Sequence, residues 1–346
     1  MRTNKADKAI VIWLLIGAFL VASMVILGGI TRLTQSGLSM VEWKLIMGSV
    51  PPLTQAEWQT TFDKYQEFPE YKKLNIHYTL SDFKAIFWWE YSHRLLGRLI
   101  GIVFLIPFLG FLIKKKLDKA LTKKLIFILF MGALQGFLGW FMVKSGLVNN
   151  PHVSHYRLAA HLVTAFFLFG YILNLALSIG WPSTTRIRLP YYRQILNVLL
   201  VLISVQIIYG AFVAGLKAGL FYPTFPTMNG VWMPEIITSS LASDGWLSII
   251  NTIASVQFIH RWMGVAVWSF ALFIAVLYGP SMTAKLKIGF VLLVAIITTQ
   301  ALLGIFTLLY SVPLTLGVLH QLGALLTLMA WVYAKHSTKL IVQQKV

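Results

Sequence analysis

The chain is a succession of long apolar runs separated by polar ones. Runs of the length a helix needs to cross a bilayer, roughly 20 residues, lie near Ile10–Ile30, His93–Ile113, Leu125–Val143 and Arg157–Ile179. Four more lie near Ile195–Gly215, Val256–Tyr278, Ile288–Tyr310 and Leu316–Ala334. The pattern predicts an all-α polytopic membrane protein with eight transmembrane helices. A long stretch between the first two runs, roughly Thr31 to Trp89, is rich in Trp, Pro and charge (Trp43, Pro51, Pro52, Trp58, Trp88, Trp89). It is expected to carry short interfacial helices. Its counterpart, about Leu216 to Ser255, contains Pro223, Pro226 and Pro234.

Composition agrees with that class. The chain is 58% hydrophobic and 12% charged, with a mean hydropathy of +0.75, far from globular usage. The net charge of +18 suggests nucleic acid until its location is read. Basic residues gather at Arg2, Lys5 and Lys8, at Lys114–Lys116, Lys119, Lys123 and Lys124, at Arg186, Arg188 and Arg193, at Lys285 and Lys287, and at Lys335, Lys339 and Lys345. These are alternate ends of the eight runs, so the positive-inside rule places both termini in the cytoplasm. The intervening outer segments hold Glu42, Glu57, Asp63, Glu67, Glu70 and Asp82. The charge reports topology and no nucleic-acid partner.

The absence of cysteine excludes disulfides, thiolate metal sites and covalently attached c-type haem. The first apolar run begins after about nine residues, with neither a small-residue cleavage site after it nor an Arg- and Ser-rich segment before it. A bacterial plasma membrane is the expected location.

One signature occurs twice: His93-Arg94-Leu95-Leu96-Gly97 and His260-Arg261-Trp262-Met263-Gly264. Each copy is followed by a lone histidine in a later run, His161 and His320. Other stretches repeat in the same order. Gln135-Gly136-Phe137-Leu138-Gly139 resembles Gln300-Ala301-Leu302-Leu303-Gly304, and Gly28-Gly29-Ile30-Thr31 resembles Gly210-Ala211-Phe212-Val213. The order implies a four-helix repeat, a parallel duplication about an axis along the membrane normal. The expected organisation is two pseudo-symmetric four-helix bundles, residues 1–180 and 181–346.

Histidine inside a membrane is costly without a partner. Four of them in a repeated context, each within a turn or two of the start of its run, point to two metal or haem sites held between facing helices. Gly97 and Gly264 follow their histidines by four residues, Ala165 follows His161 by four, and Gly323 follows His320 by three. A small residue on the ligand face leaves room for a porphyrin. Arg94 and Arg261 are placed where a guanidinium can meet a carboxylate. Glu90 precedes His93 by three positions and shares its helical face, a natural acid, base or cation stabiliser. The alternative is a structural ion pair with Arg94 or a loop lysine. The second half has Gln257 there, which suggests a reactive first site and an inert second one. His77, His152, His155 and His336 are expected to be solvated or interfacial.

Longer runs make a family visible. They are Arg32-Leu33-Thr34-Gln35-Ser36-Gly37-Leu38-Ser39 with Glu42-Trp43-Lys44, Glu90-Tyr91-Ser92-His93-Arg94, and Gln135 through Leu147. Tyr156 through His161, Gly210 through Leu216, Phe225-Pro226-Thr227-Met228 and Gln257 through Arg261 complete the set. The chain resembles the haem A synthase family, in its cysteine-free branch shared by bacteria and mitochondria. The resemblance implies oxidation of a haem O methyl group to a formyl group by successive hydroxylations, giving haem A for terminal oxidases. It further implies that His260 and His320 ligate a resident haem b, that His93 and His161 hold the substrate haem, and that Glu90 is catalytic. Some relatives carry paired outer-loop cysteines that this chain lacks. Implied partners are haem O, the lipid bilayer, haem O synthase, terminal oxidase assembly factors and a second copy of the chain, with the electron acceptor unassigned. The rival class is a di-haem b membrane cytochrome passing electrons with quinol, which leaves Glu90 idle.

Overall fold

In a computed structural model, residues 5–42, 48, 50–147, 151–181, 187–188 and 190–340 are described; Arg2, Trp43, Lys44, Arg186 and Lys345 lie outside them. The described residues are almost wholly helical. Helices are α1 (Lys5–Leu33), α2 (Gln55–Gln66), α3 (Pro69–Lys73), α4 (Leu80–Ile113), α5 (Lys119–Lys144) and α6 (His155–Gly180). They continue with α7 (Pro190–Gly215), α8 (Glu235–Asp244), α9 (Ser248–Asn251), α10 (Ile253–Tyr278), α11 (Ala284–Leu309) and α12 (Leu314–Ser337). Eight of these, α1, α4, α5, α6, α7, α10, α11 and α12, are long and apolar enough to cross a membrane. The protein is a multi-pass helical membrane protein. A two-residue antiparallel pair joins Ile187–Arg188 to Lys339–Leu340.

The backbone groups into two compact units, Phe19–Leu168 and Met1–Ala18 with Phe169–Val346. The first contains His93 and His161, the second His260 and His320.

In the first unit, α4 starts at Leu80, well before the apolar run read from the sequence. Thr79 and Asp82 form a capping box: the Asp82 N–H donates to Thr79 Oγ1 at 3.4 Å, and the Thr79 N–H to Asp82 Oδ2 at 2.9 Å. Such a box satisfies two orphan donors of the first turn. The added turns have their own burial. Phe83, Ile86, Phe87 and Tyr91 pack with Trp58, Phe62 and Tyr65 of α2 into an aromatic core outside the apolar run. Burying an aromatic or large aliphatic side chain contributes roughly 1.5–3 kcal/mol, so this core secures the segment between α1 and α4 without any disulfide. His93 consequently stands deep inside α4 rather than in its first turns, whereas His161, His260 and His320 lie in the second or third turn of theirs.

In the second unit, α10 packs on α7 and α11, and α11 on α12. A Cβ on Gly289 would lie 3.1 Å from the Cα of Ala334, so α11 and α12 meet backbone to backbone, as small residues permit. The buried indole of Trp331 donates to the Leu196 carbonyl at 2.6 Å, and that of Trp268 to Thr298 Oγ1 at 3.1 Å. Both contacts tie helices together through a polar atom that apolar burial would otherwise penalise.

Candidate functional site

Each of the four motif histidines lies on a glycine of the preceding membrane helix. A Cβ at Gly28 in α1 would stand 3.2 Å from His93 Nε2, and one at Gly139 in α5 would stand 3.4 Å from His161 Cε1. A Cβ at Gly210 in α7 would stand 3.1 Å from His260 Cε1, and one at Gly304 in α11 would stand 2.8 Å from His320 Cε1. Distances below 3.4 Å are tighter than ordinary van der Waals contact. Glycine is therefore what lets the rings of His93, His260 and His320 sit between their helices, while at Gly139 a methyl would stand at the edge of ordinary contact.

The contact is reciprocated. One turn before the ring-bearing glycines of α5, α7 and α11 stand Gln135, Gln206 and Gln300; the corresponding residue of α1 is Met24. For Met24, Gln206 and Gln300 the partners are the glycines that follow the histidines. The Met24 methyl lies 3.3 Å from a Cβ built on Gly97, Gln206 Nε2 lies 3.1 Å from one on Gly264, and the Gln300 amide occupies the space beside Gly323. These glycines, expected to make room for a porphyrin, admit the neighbouring helix's side chain. Sequence reading found the glutamine runs as a repeat. The His–Gly pairing escaped it because the partners lie on different helices.

Within each unit the histidines pair. His93 and His161 lie within electrostatic reach of each other. The His260 and His320 rings have centroids 6.4 Å apart and planes at 88°. Nδ1 of His161, His260 and His320 is buried with no hydrogen-bond partner, and Gln206 Nε2 approaches His260 Nε2 at 3.5 Å.

The motif arginines anchor the segments that connect the membrane helices. Arg94 Nη1 donates to the Glu42 carbonyl at 3.0 Å and Nη2 to the Met40 carbonyl at 2.8 Å. Arg261 Nη1 donates to the carbonyls of Pro226 and Thr227 at 2.9 and 2.7 Å. The planar fork suits such multiple acceptors. This explains the Phe225-Pro226-Thr227-Met228 run, whose Met228 is fully buried. Both guanidinium groups meet backbone carbonyls, and that of Arg94 also meets the Glu90 carboxylate.

Glu90 is 3% exposed and both its oxygens are engaged. Oε1 accepts from Arg94 Nη2 at 2.6 Å; Oε2 accepts from Ser39 Oγ and from the Met40 N–H, each at 2.7 Å. The ion pair with Arg94 is the structural alternative named above, here joined to a serine and a backbone amide. Gln257, at the matching position, reverses the polarity: its Nε2 donates to the Tyr222 carbonyl at 3.0 Å. The exchange of Glu for Gln thus accompanies a change in how the outer segment is held. Of the other histidines, His77 and His152 are exposed, while His336, expected to be solvated, is 7% exposed in the last turn of α12.

Fold and site together define a class: a multi-pass helical membrane protein with two pairs of glycine-seated histidines, of which, among the described residues, one pair shares its helix with a buried carboxylate. Residues 11–332 match the family model described as cytochrome oxidase assembly protein. A haem A synthase of Flavobacterium johnsoniae is 48% identical over 340 residues, covering 96% of this chain and 98% of that one. One of Nitrosospira multiformis is 44% identical over 340 residues, covering 96% and 94%. One of Rhodopseudomonas palustris is 44% identical over 322 residues, covering 93% and 89%. The chain belongs to the haem A synthase family.

Proposed function

We propose that this protein is an oxidoreductase of haem biosynthesis that converts haem O to haem A, oxidising one porphyrin methyl to a formyl group by successive hydroxylations. The observation that carries this reading is near-full-length identity to haem A synthases, in a chain that builds two histidine pairs. We place the substrate haem between His93 and His161, in residues 1–180, and a resident haem b between His260 and His320, in residues 181–346.

The residues of the second pair suit a haem. His260 and His320 would hold the haem iron, their ring centroids standing 6.4 Å apart. Gly210 and Gly304 allow the rings to reach that spacing, and the buried, unpartnered ring nitrogens are of the type that ligates iron. When bound there, a haem supplies one-electron relay chemistry.

At the first pair the chain's own groups do three things. Gly28 and Gly139 seat the two rings. Arg94 fastens the segment at Met40 and Glu42 against α4. Glu90, held by Arg94, Ser39 and the Met40 amide, is a fixed negative charge on the helix that carries His93. A preorganised charge stabilises positive charge developing at the reacting carbon without reorganising in the transition state. The basic residues at alternate helix ends support cytoplasmic termini in a bacterial plasma membrane.

Expression in a host that makes haem O but no haem A, followed by chromatography of extracted haems, tests the activity. Haem A is the expected product. Folded protein with neither haem A nor its hydroxylated intermediate would overturn the reading.

A further inference from the structure

The two halves use the same His–Gly frame but not the same charges around it. Counting from the ring-bearing glycine or the histidine on each helix, Arg32 is four residues past Gly28, and Ala214 is four past Gly210. Lys144 is five past Gly139, and Leu309 is five past Gly304. Arg157 is four before His161, and Leu316 is four before His320. α1 and α5 run in one direction and α6 in the other, so all three offsets lead to the same side of the first histidine pair, about one turn outward. The first half therefore carries three cations where the second carries three apolar residues.

One of them borders a cavity. A cavity of about 180 Å³ is lined by the Met40–Glu42 segment, Arg94, Trp140, Val143, Lys144 and Leu147. Two of the lining residues follow the histidine frame directly in sequence: Arg94 comes after His93 in α4, and Trp140 comes after Gly139, the seat of His161, in α5. The charges in its wall are not equivalent. Glu42 is in an ion pair with Lys64 at 2.7 Å, and Arg94 is committed to Glu90 and two carbonyls. Lys144 Nζ lies 4.9 Å from the Trp140 ring, and no hydrogen-bond acceptor meets it among the described residues. Arg157 is held over Phe141, with its Cζ 3.7 Å from the ring centroid, and donates to the Phe141 carbonyl at 2.7 Å.

We propose that this cavity seats a carboxylate of the porphyrin substrate, with Lys144 as the cation that receives it. The proposal rests on the haem O reading and deepens it. A substrate that enters and leaves in each turnover needs recognition of its anionic edge, and the three cations lie in the half read as the substrate side. The ammonium is a compact point charge on a flexible stem, suited to an anion that must also be released. Its face contact with Trp140 holds it at the cavity wall in the meantime.

The test is a Soret titration of purified full-length protein with haem O and with its propionate dimethyl ester, for wild type, Lys144→Gln and Lys144→Arg. A charge-assisted hydrogen bond of the usual strength corresponds to about tenfold or more in affinity. Wild type and Lys144→Arg are expected to prefer the free acid by at least that factor, and Lys144→Gln to bind acid and ester alike. Equal preference in Lys144→Gln and wild type, or no preference in wild type, would overturn the carboxylate seat while leaving the haem O reading intact. Failure of folded wild type to bind either compound would instead overturn that reading, and the seat with it. Loss of both compounds on His93→Ala confirms that the titration reports the first histidine pair.

Discussion

His320 lies on Gly304 so closely that a single added methyl would stand 2.8 Å from its Cε1. The same contact recurs at 3.1 Å for His260 on Gly210, 3.2 Å for His93 on Gly28 and 3.4 Å for His161 on Gly139. The four substitutions to alanine therefore form a graded series. Gly304→Ala must displace the ring and is expected to cost about 1–3 kcal/mol through overpacking, with loss of the resident haem's Soret band. Gly139→Ala has room and should be nearly silent. Absorbance and thermal unfolding of the four variants check the order; a flat series would mean that the glycines do not set ring position.

Glu90 and Arg94 form a buried ion pair, with side chains 4% and 9% exposed. Removing one partner of such a pair costs about 3–5 kcal/mol, so Glu90→Ala is expected to destabilise the outer segment as well as abolish turnover. Glu90→Gln is the cleaner variant. Its amide keeps acceptor capacity while losing the charge, and haem A formation should fall about a hundredfold or more with resident haem retained. Unchanged haem A production by Glu90→Gln would remove the residue from the chemistry and leave it a tether.

Arg261 fastens the segment between α7 and α10 through the carbonyls of Pro226, Thr227 and Tyr222. Each hydrogen bond from a charged donor contributes about 1.5–3 kcal/mol. Arg261→Lys cannot reproduce the fork and is expected to open residues 216–252 to limited proteolysis. Cleavage at the wild-type rate would show that the segment is held by other contacts.

The aromatic core at Tyr65 predicts an alkaline limit. Burial, and then the charge of Glu70, push the Tyr65 hydroxyl above its ordinary value of 10.0. A group whose pKa is raised on folding contributes stability that is complete below the unfolded value and is lost as pH rises through the folded one. The outer segment should accordingly loosen above about pH 10, and Tyr65→Phe should remove that dependence. Near-ultraviolet dichroism against pH distinguishes the two; identical profiles would dismiss Tyr65 as the titrating group.

The eight helices were legible because hydropathy alone separates a membrane run from its flanks. The start of α4 was not, because Phe83, Ile86 and Phe87 are interleaved with polar residues and acquire a core only through α2. The histidines were legible as a repeat, and so was the Glu90–Gln257 difference. What each motif position touches was not: Gly28, Gly139, Gly210 and Gly304 are meaningful only through a ring on another helix, and Arg94 and Arg261 only through carbonyls of a distant segment. A motif records which residue types recur. The contact that makes them necessary lies across helices, where spacing along one chain segment carries no information.

The division between a substrate pair and a resident pair is tested most directly by haem b content. Purified His93→Ala, His161→Ala, His260→Ala and His320→Ala proteins should be compared with wild type by the pyridine haemochrome spectrum. Loss of haem b from His260→Ala and His320→Ala alone, with His93→Ala and His161→Ala retaining it but forming no haem A, is the predicted result. Equal depletion of haem b by all four substitutions would contradict the account.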